Sequence, residues 1–169
     1  MQKKYLLLTA LLFLTILLCF AISCGNNAKE NNPSQQPENE QELEFSLKNG
    51  SYAVTGYHGN SSSVIIPDKK DGIPVTEISD DAFRDAQNIV SLTLPDTLRI
   101  IGSGTFYGCS ALTDLTLPDG IMLAGGVFSN CPKLSEVICD GTLRSSSSNF
   151  TNTALYNNED NWENGALYI

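Results

Sequence analysis

Few side chains in this 169-residue chain are suited to chemistry, and they lie far apart. The one histidine, His58, follows Tyr57 in a stretch rich in glycine and serine. An imidazole acts as a base only with a proton donor in reach and a third group to orient it. The local sequence supplies neither, so His58 reads as a solvated loop side chain. No Gly-x-Ser-x-Gly elbow, His-Glu-x-x-His pair or phosphate-binding glycine loop is present. The serine run Ser145 to Ser148 reads as a flexible loop. No enzyme, catalytic residue or cofactor is expected.

Three cysteines, Cys109, Cys131 and Cys139, lie in the second half of the chain. No pair has metal-finger spacing and no histidine is near them, so no metal site is expected. Cys109 and Cys131 are separated by the same interval as Phe106 and Phe128. If they sit on stacked turns about 4.8 Å apart, a disulfide is within geometric reach. The favoured reading makes them small buried hydrophobes. The acidic, amide-rich Asn157 to Asn164 lacks the glycine and spaced carboxylates of an EF-hand loop and reads as solvated. Asn49, Asn60 and Asn149 each begin an Asn-x-Ser/Thr triplet.

The elements that must carry these residues announce themselves by repetition. Ile89-x-x-Leu92-x-Leu94-Pro95-x-x-Leu98 returns as Leu112-x-x-Leu115-x-Leu117-Pro118-x-x-Ile121, every position displaced by the same interval. Apolar residues at a fixed period can bury themselves only by stacking one unit on the next, which predicts a solenoid. Period-two alternation as in Leu92-x-Leu94 marks a short strand. Proline ends it, having no N–H for the ladder. Leu98 and Ile121 turn inward. The stretch 102–112, richer in small residues, is predicted to make a helical turn. Phe83, Phe106 and Phe128 recur at nearly the same interval, as one internal column. Leu92, Leu115 and Val137 form another. Before the repeats, Phe45 to Thr55 alternates around Asn49-Gly50, which predicts a β-hairpin capping the open end of the solenoid. Around Asp71-Gly72-Ile73-Pro74 extra residues are expected to widen a loop.

These residues resemble the BspA-type leucine-rich repeat, L-x-x-L-x-L-P-x-x-[LV]-x-x-I-G-x-x-A-F-x-G-C. Leu98-x-x-Ile101-Gly102-x-x-Thr105-Phe106-x-Gly108-Cys109 follows it with threonine in place of alanine. Val75-x-x-Ile78 to Ala82-Phe83 follows the same portion, and Gly126 to Cys131 is a weaker copy. The resemblance implies short parallel strands joined by turns and short helical turns. In related proteins a segment like Tyr156 to Ile169 leads into a new strand. Either Leu167-Tyr168-Ile169 pairs as a terminal strand, or the reading frame is cut short.

The start of the chain is of a different kind. Lys3 and Lys4 precede an apolar run from Tyr5 to Ile22, and Ser23-Cys24-Gly25 follows. This resembles a bacterial lipoprotein signal with Ala21-Ile22-Ser23-Cys24 as its lipobox. The resemblance implies cleavage before Cys24 and lipidation of Cys24 by more than one chain, as stable anchoring needs. A retained transmembrane helix and a plain cleaved signal are the alternatives. The stretch from Gly25 to Glu42 has one apolar side chain, Ala28. It reads as a disordered tether spanning roughly 20–25 Å as a coil and about 60 Å at full stretch. The expected organisation is signal 1–23, anchored tether 24–42 and repeat domain 43–169, with repeats at 64–139 and an irregular tail, 140–169.

The formal net charge is −9, and −11 once Lys3 and Lys4 leave with the signal. That argues against nucleic acid and anionic lipid as partners. Side chains alternate across a strand, so Ile65, Thr93, Thr116 and Ile138 should point outward in one row. Ser63, Ser91, Asp114 and Glu136 should flank them. Four rungs give a face roughly 15–20 Å long. The expected protein is a lipid-anchored surface module in the bacterial envelope that binds a protein or glycan ligand through that face. The family resemblance implies adhesion to host matrix proteins or other bacteria. The alternative is a structural or truncated repeat fragment of a larger surface protein with no ligand of its own. Gly25 in place of an aspartate after Cys24 favours the outer surface.

Overall fold

The computed structural model describes residues 40–139, 143, 145–163, 166 and 167. The expected signal, Cys24 and the tether as far as residue 39 lie outside them. Among the described residues twelve strands follow in chain order: β1 (Leu43–Lys48), β2 (Ser51–Tyr57), β3 (Ser63–Ile65), β4 (Lys69–Lys70), β5 (Ile73–Ile78) and β6 (Ser91–Thr93), then β7 (Ile100–Ile101), β8 (Asp114–Leu117), β9 (Met122–Leu123), β10 (Glu136–Cys139), β11 (Trp162–Glu163) and β12 (Ala166–Leu167). Among the same residues no helix is long and apolar enough to cross a membrane.

The hairpin at the start forms as its turn dictates. Asn49 and Gly50 take φ of 51° and 83°, the paired positive values of a two-residue turn whose twist matches the flanking strands. Lys48 then faces Ser51, and a bulge at Glu44/Phe45 bends β1. The rings of Phe45 and Tyr52 meet edge to face at 6.1 Å. Cap it is, and of one particular sheet: β2 pairs in parallel with β5.

Three successive turns of the solenoid, carrying β3 and β5, β6 and β7, and β8 and β9, contribute to two sheets each. The first is all parallel, in the order β10-β8-β6-β3. The second runs β1-β2-β5-β7-β9 and is parallel from β2 onward. This second sheet escapes a periodicity reading because β7 and β9 hold two residues each. Leu92, Leu115 and Val137 are buried behind the first sheet, and Ile78 and Ile101 behind the second. Leu98 and Ile121 are buried as well.

The rings stack as their spacing predicts. Phe83 and Phe106 have centroids 5.2 Å apart, and Phe106 and Phe128 5.6 Å. The column runs one ring further each way, to Tyr57 at 5.1 Å and Phe150 at 5.7 Å. Each such contact contributes about 0.5–1.5 kcal/mol beyond the area buried.

The third side of each turn departs from expectation. Over 102–112 there is no α-helix but a succession of tight turns, with Tyr107 N–H donating to Gly104 O, Cys109 to Phe106 O and Leu112 to Cys109 O at 3.0–3.2 Å. The other amides are used between turns. Phe83 N–H donates to Thr105 O, Phe106 to Val127 O and Phe128 to Asn149 O at 2.9–3.0 Å. An i to i−4 ladder would need those same donors. Two columns of left-handed residues also interrupt any helix: Asp81, Gly104 and Gly126, and Asp85, Gly108, Asn130 and Asn152.

Two segments are more ordered than the sequence suggests. The loop at 67–74 is a hairpin, with Lys70 opposite Ile73 and Asp71-Gly72 at its tip. Lys70 lies over the Phe45 ring at 5.7 Å. Within the tail, 145–157 adds a further turn. Phe150 and Leu155 are buried, Asn130 N–H donates to Thr151 O at 2.9 Å, and Leu155 N–H to Leu134 O at 2.8 Å. Thr153 caps a single α-helical turn, Ala154–Asn157, by accepting from Tyr156 N–H. The serine run is therefore not a loose loop: Ser146 caps the short helix Ser147–Phe150 that brings Phe150 under Phe128. After it, Trp162 pairs antiparallel with Leu167, while Tyr168 and Ile169 lie outside the described residues.

Candidate binding face

The solvent side of the first sheet carries the residues that alternation places there. Ser63, Ser91, Asp114 and Glu136 are in register across β3, β6, β8 and β10, and all are exposed. Ile65 is in register with Thr93, and Thr116 with Ile138. The isoleucines at the two ends are large apolar side chains left 42% and 48% exposed. The inward partners Val64, Leu92, Leu115 and Val137 are buried, which fixes the register.

The sheet is not uniform. Three residue pairs join β3 to β6 and four join β8 to β10, but only Ser91 and Asp114 pair between β6 and β8. Beyond that pair lies a recess of about 300 Å³, whose lining includes Thr93, Asp96, Asp114, Thr116, Pro118 and Asp119. Its volume is at the small end for ligand sites. Asp96 and Asp119 each follow the proline that ends a strand, one repeat apart, and were missed in reading the sequence. The repeated Pro-Asp in Pro67-Asp68, Pro95-Asp96 and Pro118-Asp119 was the signal available. Asp114 accepts a 2.7 Å hydrogen bond from the Thr113 hydroxyl. Among the described residues none of the three carboxylates makes an ion pair. The Arg99 guanidinium turns to the backbone carbonyls of Asp96 and Leu98, at 2.7 and 2.8 Å. Among the described residues no lysine or arginine lines the recess.

The candidate nucleophiles lie elsewhere. Cys109 and Cys131 are buried and not joined to each other. Each thiol donates to a carbonyl one turn back, Cys109 to Phe83 O at 3.3 Å and Cys131 to Phe106 O at 3.1 Å. Burial pushes the Cys109 thiol up to about 12, with the Cys131 sulfur adding to the rise, and pushes Cys131 up to about 11. Thiols held protonated and out of solvent are poor nucleophiles. Cys139 is half-buried in β10 and makes no disulfide. His58 is exposed, with Nε2 2.9 Å from Glu44 Oε1. Glu42 accepts from the Ser61 hydroxyl at 2.9 Å and the Tyr57 hydroxyl at 3.4 Å. This cluster belongs to the cap and does not reach the strand face. Among the described residues no group of three or more histidine, cysteine or acidic side chains is placed to hold a metal ion. Asn149 is buried, its Oδ1 accepting from Val127 N–H at 3.0 Å. Asn158 and Asn161 of the amide-rich stretch bond locally, to Asp160 N–H and Leu155 O.

Among solved structures, the chain is similar to a leucine-rich repeat protein of T. pallidum (19% identity, 60% of this chain and 82% of that one, TM-score 0.35). It is similar to a leucine-rich cell surface protein of Faecalibacterium prausnitzii (22%, 72% and 47%, 0.43). A leucine-rich repeat protein of Bacteroides capillosus is also similar (19%, 63% and 100%, 0.44). No curated protein matches the sequence. The family model for the BspA type leucine-rich repeat region matches residues 50–160 in six copies. That span takes in β2 to β10 and the added turn that buries Phe150, and the chain belongs to the BspA-type leucine-rich repeat family.

Proposed function

We propose that the chain is a recognition module of the bacterial cell surface, held to the envelope through lipidated Cys24 and binding a protein or glycan ligand with the solvent side of the first sheet. One observation carries this reading. The face of β3, β6, β8 and β10 offers exposed Ile65, Thr93, Thr116 and Ile138 in one row beside Ser91, Asp114 and Glu136. A rigid sheet that leaves large apolar side chains in water beside ordered polar ones is the surface a partner would cover. Family membership supports the role, because proteins of this family are associated with adhesion. The buried thiols and the cap-bound His58 give no support to catalysis.

The test is a screen of the purified protein against matrix proteins and glycans. Retention of a ligand that is lost on changing Thr93, Thr116 and Asp114 together supports the reading; retention unchanged by those substitutions refutes it. In the same strain Cys24→Ala should release the protein into the medium. Continued membrane retention would instead favour an uncut helix.

A further inference from the structure

We propose that the recess between β6 and β8 receives the cationic side chain of a lysine or arginine from an extended segment of a partner protein. This rests on the recognition reading above and narrows its ligand from protein or glycan to a protein with a basic, extended stretch.

The opening itself comes first. The ladder between β6 and β8 stops after Ser91 and Asp114, whereas those on either side continue for three and four pairs. The gap this leaves has a two-part lining. Leu94, Leu117 and Pro118 line it with apolar atoms, and Asp96, Asp114 and Asp119 with carboxylates. Lysine and arginine are built to the same plan, an apolar stem with a charged tip. A volume of about 300 Å³ is enough to admit such a side chain.

Charge supplies the second argument. Asp96 and Asp119 occupy the same place in successive turns, and with Asp114 they line the recess as exposed side chains. Among the described residues no cation pairs with any of the three. Arg99 is committed to backbone carbonyls. A cation entering from outside gains charge-assisted hydrogen bonds to them. An anionic glycan or acidic peptide meets the opposite field, so the recess selects by repulsion as well as attraction. Thr93 and Thr116 beside it offer hydroxyls to the main chain of an extended segment, and Ile138 offers a flanking apolar contact.

The experiment uses the full-length protein in non-ionic detergent and a short fluorescent peptide with arginines spaced by Ser, Thr and Gly. The same peptide with Gln or Glu in place of Arg is the control. The Arg peptide should bind about tenfold more tightly than the Gln peptide, the scale of one charge-assisted contact. The Glu peptide should not bind. High salt should weaken the Arg complex severalfold. Asp96→Asn with Asp119→Asn, isosteric and exposed, should leave the fold intact and remove the preference for Arg. Equal binding of Arg and Gln peptides, or binding indifferent to salt and to both Asn substitutions, overturns the proposal. Thr116→Trp separates the two readings. If it abolishes retention of a ligand from the screen while the Asn substitutions do not, the sheet face still binds but the cationic partner is refuted. If none of these changes alters retention, both readings fall.

Discussion

Replacing Phe106 with alanine removes the middle ring of the aromatic column. Phe106 is fully buried, with Phe83 5.2 Å away on one side and Phe128 5.6 Å away on the other. Truncating a core phenylalanine costs about 3–5 kcal/mol. Loss of ring contacts on both faces puts Phe106→Ala at the upper end, about 4–5 kcal/mol. Phe150 is equally buried but has one stacked ring, Phe128 at 5.7 Å. Phe150→Ala should therefore cost less by about one ring contact, roughly 0.5–1.5 kcal/mol. Phe106→Leu keeps most of the apolar volume and should cost about 1–2 kcal/mol. A domain of this size has only about 5–15 kcal/mol in total. In a linear array stability sums over neighbours, so the central variant should also uncouple the two halves. Urea unfolding followed by circular dichroism gives the three costs, and amide exchange at Val137 and Val54 reports the uncoupling. Equal costs for Phe106→Ala and Phe150→Ala, or a leucine variant as weak as the alanine one, would refute the idea that stacked rings couple the turns.

Two further outcomes follow from the interior. A Cβ on Gly102 would press on Asp80 N and lie 2.7 Å from Ser79 C, both backbone atoms that no rotamer can move. Gly102→Ala should cost about 2–3 kcal/mol in the same urea measurement, although alanine favours ordered backbone in general. The thiols make stability depend on alkaline pH. Cys109 and Cys131 keep their protons in the fold to about 12 and about 11, against an ordinary value of 9.0. The unfolded chain releases those protons first, so this contribution is complete below pH 9 and is lost as pH climbs from there through about 11 for Cys131 and about 12 for Cys109. The urea midpoint should fall over that range, and fall less in Cys109→Ala/Cys131→Ala. Both thiols should resist alkylation at about pH 8 until the protein unfolds.

The fold is legible where one short pattern repeats in full. Leu92-x-Leu94-Pro95 and Leu115-x-Leu117-Pro118 carry strand, strand end and spacing together, and Asn49-Gly50 carries the cap. The outward side of the first sheet is legible too, since alternation alone places Ile65, Thr93, Thr116 and Ile138 on the outside. What escapes lies below the length of any period. β7 and β9 are two-residue strands, held by backbone bonds between turns such as Met122 N–H to Arg99 O rather than by a pattern of side chains. The added turn at 145–157 hides behind serines, and its signal was one residue, Phe150, as far beyond Phe128 as Phe128 is beyond Phe106. The recess is invisible for another reason. It comes from the relation of β6 to β8, which stay paired at Ser91 and Asp114 and nowhere beyond, and no residue of either strand encodes that alone.

The small hairpin of β4 and β5 shows how the coil takes in extra chain without losing phase. Additional residues enter between one strand and the next, and the rings stay aligned above and below them. Its tip glycine, Gly72, has nothing within 4 Å of where a side chain would begin. That makes the Asp71-Gly72 tip a natural port for grafting, where an engineer could splice in an epitope or affinity handle and display it with the rest of the scaffold undisturbed.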